Sequence, residues 1–227
     1  PPPLTESGVS RVFGVGAAGK VGRSLARQAG ARDDRVLALH GGQEQAAELT
    51  ALGARPVQGD LLQLDVAALA ALMRACDVVV FSAGAGGKGG ASMTDAIDGR
   101  GLELAVAAAQ AAAVPRFLLV SAFPEAGRGK HLSDTFENYM VVKKRADVHL
   151  AESPLDWVIL RPGTLTDEPG TGRVRAGLAI PYGNIARADV AATLLALIEH
   201  PQLRRCIIEL TEGETPVFDE LLARSPA

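Results

Sequence analysis

Apolar residues along this chain fall into short continuous runs, separated by longer stretches with helical spacing. Runs at 11–13, 35–39, 77–81, 117–120, 157–160 and 207–210 read as strands, and 56–60 as another with a polar tip. Consecutive apolar positions, rather than alternating ones, are what strands covered on both faces require. Helices are predicted at 23–29, 43–52, 64–75, 94–113, 134–152, 188–199 and 217–223. In the 64–75 stretch the apolar residues recur at 66, 69, 72 and 73. Strands and helices alternate with no repeat and no linker, which predicts βαβ units with right-handed crossovers. The expected fold class is α/β: a doubly wound parallel sheet of strand order 3-2-1-4-5-6, with a seventh strand at the edge. Residues 1–227 read as one domain. Residues 162–184 are rich in Gly and Pro without clear periodicity. With the C-terminal part they are expected to form a small substrate-side region. The loop 123–133 is also long, and such loops often build lids or substrate walls.

Composition narrows this picture. A net charge of −3 over 227 residues gives no footing for nucleic acid or an anionic membrane. Aromatics make up only 4%, which suits a helix-covered sheet. No apolar run reaches the roughly 18–20 residues of a membrane span. Pro1-Pro2-Pro3 lacks the basic region and apolar core of a signal peptide and reads as a frayed end. Cys76 and Cys206 form no C-x-x-C pair and read as reduced thiols of a cytoplasmic protein. His131, His149 and His200 show no metal-ligand spacing and read as surface or cap residues. Asp65, Asp77 and Asp156 read as turn or helix-start residues, and Trp157 as core.

The most informative stretch is Arg11-Val12-Phe13-Gly14-Val15-Gly16-Ala17-Ala18-Gly19-Lys20-Val21-Gly22, followed by good helix formers. It reads as strand, tight glycine turn and helix. Glycines allow the sharp turn, the close approach of backbone to a pyrophosphate and the packing of helix on strand. The helix start adds unpaired N–H groups and a positive dipole end. Two overlapping G-x-G-x-x-G frames exist, Gly14/Gly16/Gly19 and Gly16/Gly19/Gly22, in the strand–turn–helix context that the motif needs.

Tyr139 and Lys143 stand four apart in a predicted helix and share a face. An ammonium beside a phenol is expected to lower the phenol's pKa and equip it for proton exchange with a carbonyl oxygen. Ser121, at the carboxyl end of the fifth strand, is placed to hydrogen-bond the same oxygen.

These pieces, in order, resemble the atypical short-chain dehydrogenase/reductase proteins, the NAD(P)H-binding Rossmann-fold group that includes NmrA-like and biliverdin-reductase-B-like members. The resemblance spans residues 10–215. It rests on Gly16–Gly22, Leu52-Gly53-Ala54, Gly59-Asp60-Leu61, Ser82-Ala83-Gly84, Asp98-Gly99-Arg100-Gly101, Val120-Ser121, Tyr139–Asp147, Arg161–Thr166 and Arg187–Ala191. It implies that Gly16, Ala17, Ala18, Gly19, Lys20, Val21 and Gly22 form the pyrophosphate loop. Asp60 would take the adenine amino group, with Leu61 beside it. Ala83 and Gly84 would lie along the adenosine ribose. Ser121, Tyr139 and Lys143 would be the catalytic set, Lys143 also holding the nicotinamide ribose. Pro162, Gly163 and Thr164 would contact the nicotinamide amide, and Arg187–Ala191 would fasten the following helix. Two departures stand out. Position 18 is alanine where the family usually carries threonine. The end of strand two reads Leu39-His40-Gly41-Gly42, without the usual arginine for a 2′-phosphate and without an acid for a 2′-hydroxyl. Lys20, Arg23 or His40, with Gly41, are the groups left to meet a 2′-phosphate, so the expected cofactor is NADP, with NAD possible.

The implied function is an NAD(P)H-dependent oxidoreductase passing hydride to a small carbonyl, quinone or flavin-like acceptor. The alternatives are an NmrA-like cofactor sensor without turnover, and an epimerase using bound NAD. The last fits less well, since only about sixty residues follow strand six. The expected partner is a small molecule; monomer and homodimer stay open.

Overall fold

The computed structural model describes residues 10–84 and 89–225. The opening prolines and most of the glycine-rich 84–90 loop lie outside them. The first half of the chain runs β1 (Arg11–Val15), α1 (Lys20–Gly30), β2 (Arg35–His40), α2 (Gln43–Ala51), β3 (Arg55–Gln58), α3 (Val66–Met73) and β4 (Val78–Phe81). Next come α4 (Gly90–Thr94), a π-helical segment (Asp95–Gly101), α5 (Leu102–Ala111), β5 (Arg116–Val120), α6 (Asp134–Ala151) and β6 (Asp156–Pro162). The chain closes with β7 (Thr164–Thr166), β8 (Arg173–Gly177), β9 (Asn184–Ala186), α7 (Arg187–Glu199), β10 (Cys206–Glu212), β11 (Thr215–Pro216) and α8 (Val217–Leu222).

The main sheet has the order β11-β8-β10-β6-β5-β4-β1-β2-β3. Its parallel part is the predicted 3-2-1-4-5-6 arrangement, a Rossmann-type sheet. The predicted seventh strand, β10, pairs parallel with β6 but is not the edge. β8 pairs antiparallel with its outer side and β11 with β8. Of these, β8 comes from the 162–184 segment that shows no clear period in sequence. β8 alternates exposed Arg173 and Arg175 with buried Val174 and Ala176, a half-covered strand too short to announce itself. β7 and β9 form a separate two-stranded pair.

Both faces of the sheet are covered. Val12, Val78, Val80, Leu118, Val158 and Leu160 point to the side of α1 and α7. Phe13, Val79, Phe81, Phe117, Leu119 and Ile159 point to the side of α3, α5 and α6. Successive residues of one strand thus enter opposite cores, which is why the strands carry no polar alternation. Trp157 joins the second core as expected. Asp65 caps α3 by accepting from the Ala68 N–H, and Asp77 accepts from the Arg11 N–H at the foot of β1. His200 ends α7, its Nδ1 2.7 Å from the Ala196 carbonyl oxygen. The predicted single helix over 94–113 is instead three joined segments with a π-helical middle.

Sequence patterning did not reveal the role of Arg116, at the start of β5. Its guanidinium donates to the carbonyls of Leu197 (2.6 Å), Leu203 (2.9 Å) and His200 (3.3 Å), tying β5 to the end of α7.

Candidate active site

β1 pairs parallel with β2 on one side and with β4 on the other, so the order in which successive strands are laid down reverses across it. The crevice above the strands' carboxyl ends opens there, where α/β sheets take their ligands. The glycine turn follows β1 directly. Gly16 has φ +86°, and a Cβ there would stand 2.3 Å from the Ala83 nitrogen. Ser82 fixes that close approach, its N–H donating to the Val15 carbonyl at 2.9 Å. At Gly22 a Cβ would lie 2.5 Å from both the Ala17 Cα and the Gly16 oxygen. Gly19 differs: its added Cβ would meet only the Gly16 oxygen, at 3.3 Å. Gly16 therefore makes the turn, Gly22 lets helix pack on loop, and Gly19 keeps a face open. Gly19 caps α1 without any side-chain bond to the helix's first N–H groups. Open backbone, free N–H groups and the positive helix end together fit a pyrophosphate.

Two cavities meet at Gly19, Ser82, Ala83 and Gly84. The smaller, about 270 Å³, is bounded by Gly16, His40, Gly41, Asp60 and Leu61. The larger, about 550 Å³, is bounded by Lys20, Val21, Asp98, Ser121, Phe136, Tyr139, Lys143, Leu165 and Arg187 among others. The predicted adenosine residues thus gather on one side of the glycine turn and the predicted reaction residues on the other. Ala17 is buried in the core instead of facing either cavity, and Ala18 borders neither. After β6, Leu165 reaches the larger cavity, whereas Pro162, Gly163 and Thr164 are not among the residues that bound it. Gly163 serves packing: a Cβ would sit 2.0 Å from the Gly183 oxygen. Thr164 is hydrogen-bonded to the Tyr182 hydroxyl.

Of the three basic side chains considered for a 2′-phosphate, two are committed elsewhere. Arg23 makes a two-pronged pair with Glu48, and Lys20 is 2.8 Å from Asp167, which also holds Arg187 at 2.7 Å. His40 does border the smaller cavity, with Nδ1 donating to the Gly42 carbonyl at 2.9 Å. Asp60 turns one oxygen back to the Leu62 N–H.

α6 begins at Ser133, whose hydroxyl accepts from the Phe136 N–H. Tyr139, Lys143 and Asp147, spaced four apart, then share one face. Lys143 is 3% exposed. It donates to the Val120 carbonyl at 3.1 Å and lies 3.7 Å from Asp98, itself buried, on the π-helical segment. Burial pulls the Lys143 pKa down, and the two aspartates work against that pull. Ser121 donates to Asp147 Oδ1 at 2.5 Å. Asp147 Oδ2 accepts from Arg161 Nε and a terminal nitrogen at 3.1 and 2.9 Å.

This arrangement corrects the expectation for Tyr139. Its pKa is pushed up to about 12, not down, first by burial and then by the charges of Asp98 and Asp147. The lysine that was to favour phenolate stands against a buried aspartate. The result is a phenol that keeps its proton. Sequence reasoning gave no role to Asp98, Asp147 or Arg161. The Tyr-x-x-x-Lys-x-x-x-Asp spacing was a usable signal for Asp147; Asp98 stood out only as part of the Asp98-Gly99-Arg100-Gly101 stretch, with nothing local to tie it to Lys143.

Comparison with known proteins agrees with this geometry. A family profile described as NAD(P)H-binding matches residues 16–201. A Bacillus subtilis protein described as an uncharacterized sugar epimerase is 36% identical over 212 residues, covering 93% of this chain and 98% of that one. Among solved structures, a Bacillus halodurans protein described as an NAD-dependent epimerase/dehydratase aligns with TM-score 0.86 and 30% identity over 94% of this chain and 99% of that one. An anaerobilin reductase from Escherichia coli O157:H7 aligns with TM-score 0.75 and 27% identity over 90% of this chain and 98% of that one. Among the described residues no helix is long and apolar enough to cross a membrane.

Proposed function

The chain belongs to the NAD(P)H-binding family, and from that premise we propose that it is a reductase passing hydride from NADPH or NADH to a small conjugated acceptor. The bound nicotinamide supplies the hydride, and the protein supplies position and electrostatics. Gly16, Gly19 and the N–H groups that open α1 would hold the pyrophosphate, and Asp60, with His40 and Gly41, the adenosine side. Lys143 would anchor the nicotinamide ribose. Tyr139 would give the acceptor its proton. A quinone, flavin or carbonyl reduced by hydride needs that proton, and a phenol held in its neutral form provides it.

The observation that carries this reading is Tyr139 and the buried Lys143 together on the wall of a cavity of about 550 Å³ that joins the nucleotide cavity at Gly19. Similarity to a reductase supports it further. The epimerase wording attached to two relatives, a sugar epimerase in one and an epimerase/dehydratase in the other, keeps a second reading in view, with the same cofactor recycled on the protein. Oxidation of NADPH and NADH against quinones, flavins and aldehydes separates the possibilities. Net loss of reduced cofactor is expected. Tight cofactor binding without turnover would make the protein a sensor. Interconversion of a nucleotide sugar with no net loss would make it an epimerase.

A further inference from the structure

A serine hydroxyl has one proton and two lone pairs. Ser121 spends its proton on Asp147 Oδ1 at 2.5 Å. Asp147 cannot release it cheaply. The opposite oxygen holds the guanidinium of Arg161 through two N–H bonds, and Ser121, Asp147 and Arg161 are all buried. To turn the hydroxyl toward the cavity would leave a buried carboxylate oxygen short of a donor. Ser121 nonetheless borders the larger cavity. Whatever meets its oxygen from that side meets lone pairs.

We infer that Ser121 is a hydrogen-bond acceptor that selects an N–H donor, fixed in that sense by Asp147 and Arg161. This inference rests on the reductase reading and sharpens it. The ligand chemistry is an amide-like or ring N–H lying in the plane of a conjugated system. It has two sources, the carboxamide of the nicotinamide or an imide-type N–H of the acceptor. A bare carbonyl oxygen, which can only accept, is disfavoured opposite Ser121. Asp147 is in this scheme a positioning residue, because it acts through the serine.

Two matched pairs of probes, read by calorimetric binding, test this. One compares the natural cofactor with its 3-acetylpyridine analogue, which replaces the carboxamide NH2 by a methyl group. The other compares lumiflavin with 3-methyllumiflavin, which lacks the imide proton, in the presence of NADP. We expect the donor-bearing member of at least one pair to bind about tenfold tighter, the weight of one buried partner left unpaired. Ser121→Ala, a small change, is expected to erase that preference. The pair that discriminates identifies the source of the N–H. Asp147→Asn, where it folds, should reduce the preference without abolishing cofactor binding. Equal binding within both pairs, or a preference that survives in Ser121→Ala, overturns the inference. Because these are binding measurements, absence of turnover would count against the reductase reading alone.

Discussion

The glycines of the turn divide into those that hold the fold and one that faces the ligand, and alanine substitution should separate them. Gly19 has φ −75° and ψ 171°, a conformation any residue adopts, and its new methyl would touch only the Gly16 oxygen at 3.3 Å. Gly19→Ala should therefore fold, with a stability change under about 1 kcal/mol. The methyl would occupy the space between backbone and pyrophosphate and hold the phosphate oxygens off one or two N–H groups of α1. Charge-assisted bonds of this kind are worth about 1.5–3 kcal/mol each, so a loss of about 2–4 kcal/mol is expected. That is roughly a 30- to 1000-fold rise in Kd. Gly22→Ala should behave in the opposite way. Its methyl would stand 2.5 Å from the Ala17 Cα and 2.8 Å from the Ala17 carbonyl carbon, backbone that cannot step aside. Overpacking of this kind costs about 1–3 kcal/mol or more, or about 2–12 °C in Tm for a domain of this size. Calorimetric titration with NADPH and NADH, beside thermal melts, reads both quantities. Unchanged affinity in Gly19→Ala would remove the cradle from the account. A melt as damaged as that of Gly22→Ala would show that Gly19 has no open face.

Tyr139→Phe should lower kcat by about 10²–10⁴-fold while leaving cofactor affinity unchanged, since only proton delivery is lost. With the Tyr139 pKa near 12, the acid stays protonated as pH rises, so kcat in the reducing direction should show no basic limb between pH 7 and about 10. A limb near pH 8 that vanishes in Tyr139→Phe would refute the assigned environment. Arg116→Met should lower Tm by about 6–12 °C, because three carbonyls at the end of α7 lose their donor at a cost of about 3 kcal/mol. Cys76, whose thiol is pushed up to about 11 by burial and by Asp77, should react with a disulfide reagent at pH 8 roughly a hundredfold slower than a free thiol. Rapid modification in the folded protein would contradict that burial.

The parallel sheet was legible because its strands are buried on both faces and announce themselves as unbroken apolar runs, Val78–Phe81 most clearly. The order followed from right-handed crossovers and from the glycine turn after β1. The 162–184 segment was not legible. β7 and β9 have three residues each and β8 five, below the length at which alternation stands out from loop sequence. Their pairing partners are also remote, which moves β10 inward from the edge. In the site, α6 could be read from spacing alone, so Tyr139 and Lys143 were found together. The electrostatics could not be. Whether a lysine lowers a phenol's pKa depends on what else faces it, and Asp98 reaches Lys143 from a helix more than forty positions earlier in the chain. The fate of the Ser121 proton likewise depended on Arg161, at the far end of β6. Local pattern reveals which side chains share a face; charge balance requires knowing every element that closes over them.

The π-helical segment has a consequence for relatives of any sequence. An α-helix advances about 100° per residue, and a wider turn accommodates one residue more than its neighbours do. Removing a single position from Asp95–Gly101 would let the segment relax into the narrower helix and swing the side chains before the deletion by that angle. Gly101 closes the segment with its backbone against the end of the Leu61 side chain, which an added Cβ would meet at 2.8 Å. The number of residues in this one turn therefore selects which group stands opposite Lys143, so a chain could keep every residue type and still lose its counter-ion by being one amino acid shorter here.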